Sequence, residues 1–150
     1  MTRGFCWVVM VLAGLLTVCG QAHATTIDLL NAANVRIDGT AASDNAGYSV
    51  SGAGDVNGDG LDDLIIGARL ADNNSRTDSG SSYVIYGQAS NSNLDLASLT
   101  AAQGFRIDGA AANDVAGYSV SGAGAVNGDG LDDVIIGARS ASNNSRSSSG

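Results

Sequence analysis

At 150 residues the chain suits one ordinary domain, and its ionisable groups are one-sided: seven basic residues, all Arg, stand against fifteen acids, all Asp, for a net charge of −8. That balance argues against nucleic acid or an anionic membrane as partner and suits a chain that binds cations. There is no Lys, Glu or Pro and there are 21 Gly, a composition that favours strands and turns over helices.

Residues 1–24 read as a secretory signal peptide: Arg3 is the positive start, residues 7–18 are the apolar stretch, and Ala22-His23-Ala24 is an A-x-A cleavage site. A membrane anchor is the alternative, but the apolar stretch is short against the roughly 20 residues that a span requires. Lipidation at Cys19 is a second alternative, disfavoured by the bulky Val18 before it. Cleavage after Ala24 makes Thr25 the first mature residue and removes Cys6, Trp7, Met10, Cys19 and His23. No mature residue up to Gly150 is then Cys or His, so a disulfide framework and a Ser–His or Cys–His nucleophile are both excluded within this stretch. The expectation is a non-enzymatic, extracellular or surface-exposed chain with no membrane insertion after cleavage.

The mature chain is internally repeated. Residues 35–80 align without a gap on residues 105–150, and 36 of the 46 pairs are identical. Two units follow, over residues 25–93 and 94–150, the second cut short. In each, four short strands are expected. Residues 48–54 alternate, with Val50 among small residues. Residues 63–68 (Asp-Leu-Ile-Ile-Gly-Ala) are a short apolar run of the kind buried on both faces. Residues 82–87 alternate and carry Tyr83 and Tyr86, and residues 104–108 supply a further strand. Residues 94–103 read equally as a helical turn or an irregular connection. Many Gly at strand ends and a unit that cannot bury both faces alone point to an all-β fold of β-propeller blades, each of four antiparallel strands.

Between the first two strands lies Asp55-Val56-Asn57-Gly58-Asp59-Gly60-Leu61-Asp62-Asp63. Side-chain oxygens occupy loop positions 1, 3, 5 and 9, and Gly60 at position 6 permits the sharp turn. A hard cation such as Ca²⁺ takes about six to eight oxygens, which a loop of alternating inward residues supplies. The expected ligands are Asp55, Asn57, Asp59, the Leu61 carbonyl and Asp63. It is the first half of an EF-hand loop without the position-12 Glu, where Ile66 stands instead. A plain hairpin turn is the alternative, since Asn-Gly and Asp-Gly make such turns without metal. The second loop repeats the pattern with Ala125 at position 1. Asn127, Asp129, the Leu131 carbonyl and Asp133 then form a weaker second site, because affinity follows ligand charge count.

With these motifs in place the chain resembles the FG-GAP repeat of integrin α-chain propellers and their bacterial relatives. The resemblance runs from Gly47-Tyr48 through the Asp-rich loop to Gly67-Ala68, and recurs in the second unit. No Pro follows Gly67-Ala68; Arg69 stands there. The resemblance implies two blades of a seven-bladed ring, the second incomplete, with further blades in the same polypeptide. It implies structural calcium in hairpin loops on one face. It also implies adhesion or binding of an extracellular protein or carbohydrate. The alternative is the non-catalytic repeat region of a secreted, phospholipase-like hydrolase whose catalytic domain lies elsewhere.

Three smaller readings complete the chain. Asn73-Asn74-Ser75 and Asn143-Asn144-Ser145 are N-glycosylation sequons that a eukaryotic host could use, although short Asn/Ser loops also produce such triplets by chance. Arg36 and Arg106, in Arg-Ile-Asp-Gly segments, are expected to pair with nearby Asp. Arg69 and Arg139 are expected to be structural.

Overall fold

The computed structural model describes residues 35–89, 92–142 and 145–150. The expected signal segment and the Asn143 sequon lie outside those residues. Among the described residues there is no α-helix, and no helix is long and apolar enough to cross a membrane.

The centre of the fold is a four-stranded antiparallel sheet. After a two-residue strand β1 (Ile37–Asp38), the chain forms β2 (Ala46–Gly54), β3 (Asp63–Ala68) and β4 (Ser81–Ile85). A two-residue β5 (Leu94–Asp95) and a single 3-10 turn (Leu96–Ser98) follow, capped by the Asp95 side chain accepting from the Ala97 N–H. Next comes β6 (Gly104–Asp108). The sheet order is β2-β3-β4-β6. β3 is held in register on both sides, Val50 opposite Ile66 on β2 and Ile66 opposite Tyr83 on β4. β7 (Ala116–Gly124) and β8 (Asp133–Ala138) repeat the first hairpin as a second, two-stranded sheet.

The two hairpins share their irregularities as well as their strands. Both break register near each end of the first strand, and in the first hairpin the breaks fall around Gly47 and Gly54. Gly54 has φ +71° and its counterpart Gly124 has φ +67°. A bulge residue in the left-handed region is costly for any side chain except in glycine or Asn/Asp, so the glycine is what allows the strand to bend into the loop.

The blade and the repeat are out of step. The repeat units divide between residues 93 and 94, whereas the sheet takes its fourth strand, β6, from the second unit. β6 pairs along β4, with Ser82 opposite Ile107 and Val84 opposite Phe105. The first unit's copy of that segment (Val35-Arg36-Ile37-Asp38) has no counterpart of β4 beside it among the described residues. It forms only β1, paired in parallel with β5. Arg36 and Arg106 are each paired within their own segment, to Asp38 and Asp108, both at 2.8 Å. The undecided connection after β4 resolves as β5, the 3-10 turn and a short turn before β6.

Apolar side chains gather on both faces of the sheet. On one face Ile66, Ala68, Tyr83 and Ile85 pack with Leu94 and Leu96 from the β5 region. The Tyr83 hydroxyl reaches Thr40 Oγ1 at 2.7 Å, which satisfies its polar end inside that cluster. On the other face Ala53, Ile65 and Val84 are covered by Val120, Val134 and Ile136 of the second hairpin. This second cluster is the seam between the two blades. Backbone bonds extend the seam: Val115 N–H donates to the Asp78 carbonyl (3.1 Å) and Ala116 N–H to that of Ser79 (3.0 Å).

The seam also requires close backbone approach. A Cβ on Gly67 would run into the Gly117 carbonyl of the next blade and the Ser49 hydroxyl. Ser49 Oγ itself donates across the seam to the Gly117 carbonyl (2.9 Å).

Candidate metal centre

The Asp55–Asp63 stretch forms the turn of the β2–β3 hairpin, at the end of the blade away from Ala46 and Ala68. Gly58 (φ +80°) and Gly60 (φ +84°) both take the left-handed backbone that the loop pattern demands. The Asp55 carboxylate sits over the turn and accepts three backbone N–H groups: Gly58 (2.7 Å) and Asp59 (3.1 Å) on Oδ1, and Gly60 (2.8 Å) on Oδ2. Asn57 Oδ1 accepts from the Asp59 N–H (2.8 Å), and Asp59 Oδ1 from the Leu61 N–H (2.9 Å). Asn57 Nδ2 donates to Asp59 Oδ2 at 2.9 Å.

Asp63 is different in kind. It is 1 % exposed, at the first position of β3. Both of its oxygens accept backbone N–H groups, Oδ2 from Val56 (2.9 Å) and Oδ1 from Gly87 (2.8 Å). It therefore ties the start of the loop to the chain just after β4. A buried carboxylate is tolerated where such donors meet it.

The second loop keeps part of this network. Asp129 N–H still donates to Asn127 Oδ1 (2.8 Å) and Leu131 N–H to Asp129 Oδ1 (2.9 Å). Asp133 Oδ2 accepts from Val126 (2.8 Å) and Asn127 (3.2 Å). Ala125 has no oxygen to offer, so the three N–H groups that Asp55 gathers in the first loop have no such acceptor here. Asp133 is also less buried than Asp63.

One functional contact had no local signal. Asp132, at position 8 of the second loop, accepts the Asp55 N–H on Oδ2 (2.9 Å), and its own N–H donates to the Asp55 carbonyl (3.0 Å). The two candidate loops are thus joined at position 1 of the first by a residue 77 positions away.

Whether these residues fit a hard cation is a question of donor chemistry. The set is all oxygen, from carboxylate, amide and carbonyl, which is the chemistry that Ca²⁺ takes. The backbone bonds engage the carboxylates without exhausting them, because each oxygen carries two lone pairs. Among the described residues no three acidic side chains converge at metal-binding separation. The donor set fits calcium, then, while its side chains are spread over backbone N–H groups.

The opposite end of the blades carries a second cluster of polar groups. Arg69, after β3, lies over the Tyr48 ring at 4.3 Å, and Arg139, after β8, over the Tyr118 ring at 4.6 Å. The two Tyr rings are 5.3 Å apart.

Of the first glycosylation sequon, Asn73 is buried. Its Nδ2, the atom a glycan would occupy, donates to Ser79 Oγ (3.1 Å), the Gly80 carbonyl (3.0 Å) and Ser81 Oγ (2.8 Å). In the folded protein the Asn73 side chain therefore pins the loop before β4.

Residues 46–85, from the first residue of β2 to the last of β4, match the family model described as FG-GAP repeat. Residues 46–85 are an FG-GAP repeat. A search of curated proteins found no match to it. The FG-GAP span encloses the whole Asp55 loop and both strands that hold it. It stops short of β6, the strand that completes the sheet, and of Asp132, which ties the two loops together. The all-β architecture of antiparallel sheets agrees with blades of an FG-GAP propeller.

Proposed function

We propose that this FG-GAP chain is a calcium-binding β-propeller module of a secreted or surface-exposed protein, used to bind an extracellular protein or carbohydrate. The reading that carries it is the Asp55 loop, where Asp55, Asn57, Asp59, the Leu61 carbonyl and Asp63 lie in one nine-residue turn. These residues would hold the ion. When bound, calcium supplies positive charge that offsets repulsion among the carboxylates and fixes the turn; its role is structural, and the module itself is non-catalytic. Asn127, Asp129, the Leu131 carbonyl and Asp133 form the second, weaker site. Seven blades in the complete ring and export through residues 1–24 belong to the same proposal.

Titration of the chain with calcium, followed by calorimetry and thermal melting, tests it. The expected result is saturable binding that raises the melting temperature and is lost in Asp59→Ala. Extracellular modules of this oxygen-donor class bind with Kd of about 10⁻⁴–10⁻³ M. Ala125→Asp is expected to tighten the weaker site by restoring the position-1 carboxylate. A folded chain that shows no saturable binding would leave the loops as metal-free hairpin turns, and an Ala125→Asp chain that binds no more tightly would mean that position 1 is not a ligand.

A further inference from the structure

Of the arginines after the signal segment, Arg36 and Arg106 are neutralised by ion pairs. Arg69, Arg76, Arg139 and Arg146 are not: among the described residues none has a carboxylate within ion-pair distance, and of these Arg69 and Arg139 lie over aromatic rings. In a chain with fifteen Asp this is unexpected. The topology accounts for their position. β2 and β3 are antiparallel with Ala46 opposite Ala68, so Arg69 leaves β3 beside Tyr48 near the start of β2. The second hairpin repeats this with Ala116 opposite Ala138, which puts Arg139 beside Tyr118. The blade seam then brings the two pairs together through their Tyr rings.

Stacking on the rings explains where the guanidiniums sit but uses only their faces. A guanidinium has five N–H donors in its plane. Arg139 spends one on the Tyr118 hydroxyl at a long 3.5 Å. Arg69 makes no hydrogen bond among the described residues, and its Nε is buried without an acceptor. Tyr48 is about half exposed, so the cluster opens to solvent. The phenols respond to one another and to both cations. The hydrogen bond to Tyr118 and that phenol's charge push Tyr48 up, while the bond from Tyr48 and then the Arg139 charge pull Tyr118 down.

We propose that Arg69, Arg139, Tyr48 and Tyr118 form an oxyanion-binding site at the end of the blade seam opposite the Asp55 loop, taking a carboxylate or sulfate group of a ligand. The stacked guanidiniums present pre-oriented N–H edges, and the Tyr118 phenol adds a hydroxyl donor. Two positive charges in one cluster of an otherwise acidic chain select for an anion. The guanidinium fork suits an acceptor with two or more oxygens over a halide. This site shares no residue with the calcium reading and does not rest on it.

The test follows the Arg Nε–H signals of the ¹⁵N-labelled chain by NMR while sodium sulfate, sodium acetate or sodium chloride is added at constant ionic strength. The expected result is saturable movement of the Arg69 and Arg139 signals with sulfate or acetate, little with chloride, and none at the ion-paired Arg106. Tighter response to sulfate assigns a sulfated ligand, and tighter response to acetate a carboxylate. Arg69→Gln or Arg139→Gln, checked for folding by circular dichroism, is expected to weaken the response about tenfold or more, as loss of a charged hydrogen-bond partner does. Equal response to all three salts in the unmodified chain, or full response in a folded Gln variant, overturns the proposal. Should the Gln variants not fold, the anion selectivity of the unmodified chain decides it.

Discussion

Asp63 and Asp55 show how two aspartates in one loop come to do different work. Asp55 stands over the turn, gathering N–H groups from residues three to five positions on. Asp63 is sealed in and bridges Val56 to Gly87. Removing it leaves two backbone donors unpaired, each costing about 1–3 kcal/mol. Asp63→Ala is therefore expected to lower unfolding stability by at least about 2 kcal/mol in a urea titration performed without calcium. Asp133→Ala is expected to cost less, because Asp133 accepts only from residues of its own loop, Val126 and Asn127, and is more exposed. Equal losses at the two positions would mean that the bridge to Gly87 contributes nothing.

At the scale of elements, the two hairpins are near-copies in different surroundings, which makes one the control for the other. Gly67 and Gly137 occupy the same place in β3 and β8. A Cβ at Gly67 meets the backbone carbonyl of Gly117 across the seam, whereas at Gly137 it meets only the rotatable hydroxyl of Ser119 within close range. Overpacking against fixed backbone costs typically about 1–3 kcal/mol. Gly67→Ala is expected to destabilise by that amount and to loosen the seam, seen as faster amide exchange at Ala116. Gly137→Ala is expected to stay within about 0.5 kcal/mol, as for substitutions away from such features. Similar melting temperatures for the two variants would place the seam's tightness elsewhere.

At the scale of the molecule, the seam between the two hairpins leaves apolar surface exposed on either side among the described residues. The face of β7 and β8 that covers the seam carries Val120, Val134 and Ile136. Its counterpart on the first blade carries Val50 and Leu64, which are 66 % and 47 % exposed, and Ile66, which packs with Leu94 and Leu96 and is buried. Conversely Ile65, fully buried in the seam, has its counterpart in Ile135, which is 61 % exposed. The exposed parts of the two faces, Val50 and Leu64 on one and Ile135 on the other, are both apolar, which favours a head-to-tail arrangement. Concentration-dependent association in sedimentation experiments is expected, weakened in Ile135→Lys. Burial of one Ile is worth about 1.5–3 kcal/mol, so the weakening is about tenfold or more. Sedimentation as a monomer at all concentrations would show that the seam needs contacts that these faces lack.

What the residues reveal by themselves is what short stretches dictate. The alternation and β-branched runs mark β2, β3, β4 and β6, and the Asn-Gly-Asp-Gly turn joins the first two, because side-chain period and turn chemistry act over a few residues. The 36 shared pairs mark the repeat, and the oxygen donors mark the candidate loop. Tertiary structure decided the rest. It moved β6 into the first blade, turned Asn73 inward as a buried anchor, and set Asp132 on the Asp55 backbone. It also brought Arg69 and Arg139 together at one end of the seam. Where these contacts cross between units, they join groups some 70 positions apart. Near-identical segments carry no mark of which neighbour each will meet, so partner choice there belongs to the packing of one blade on the next.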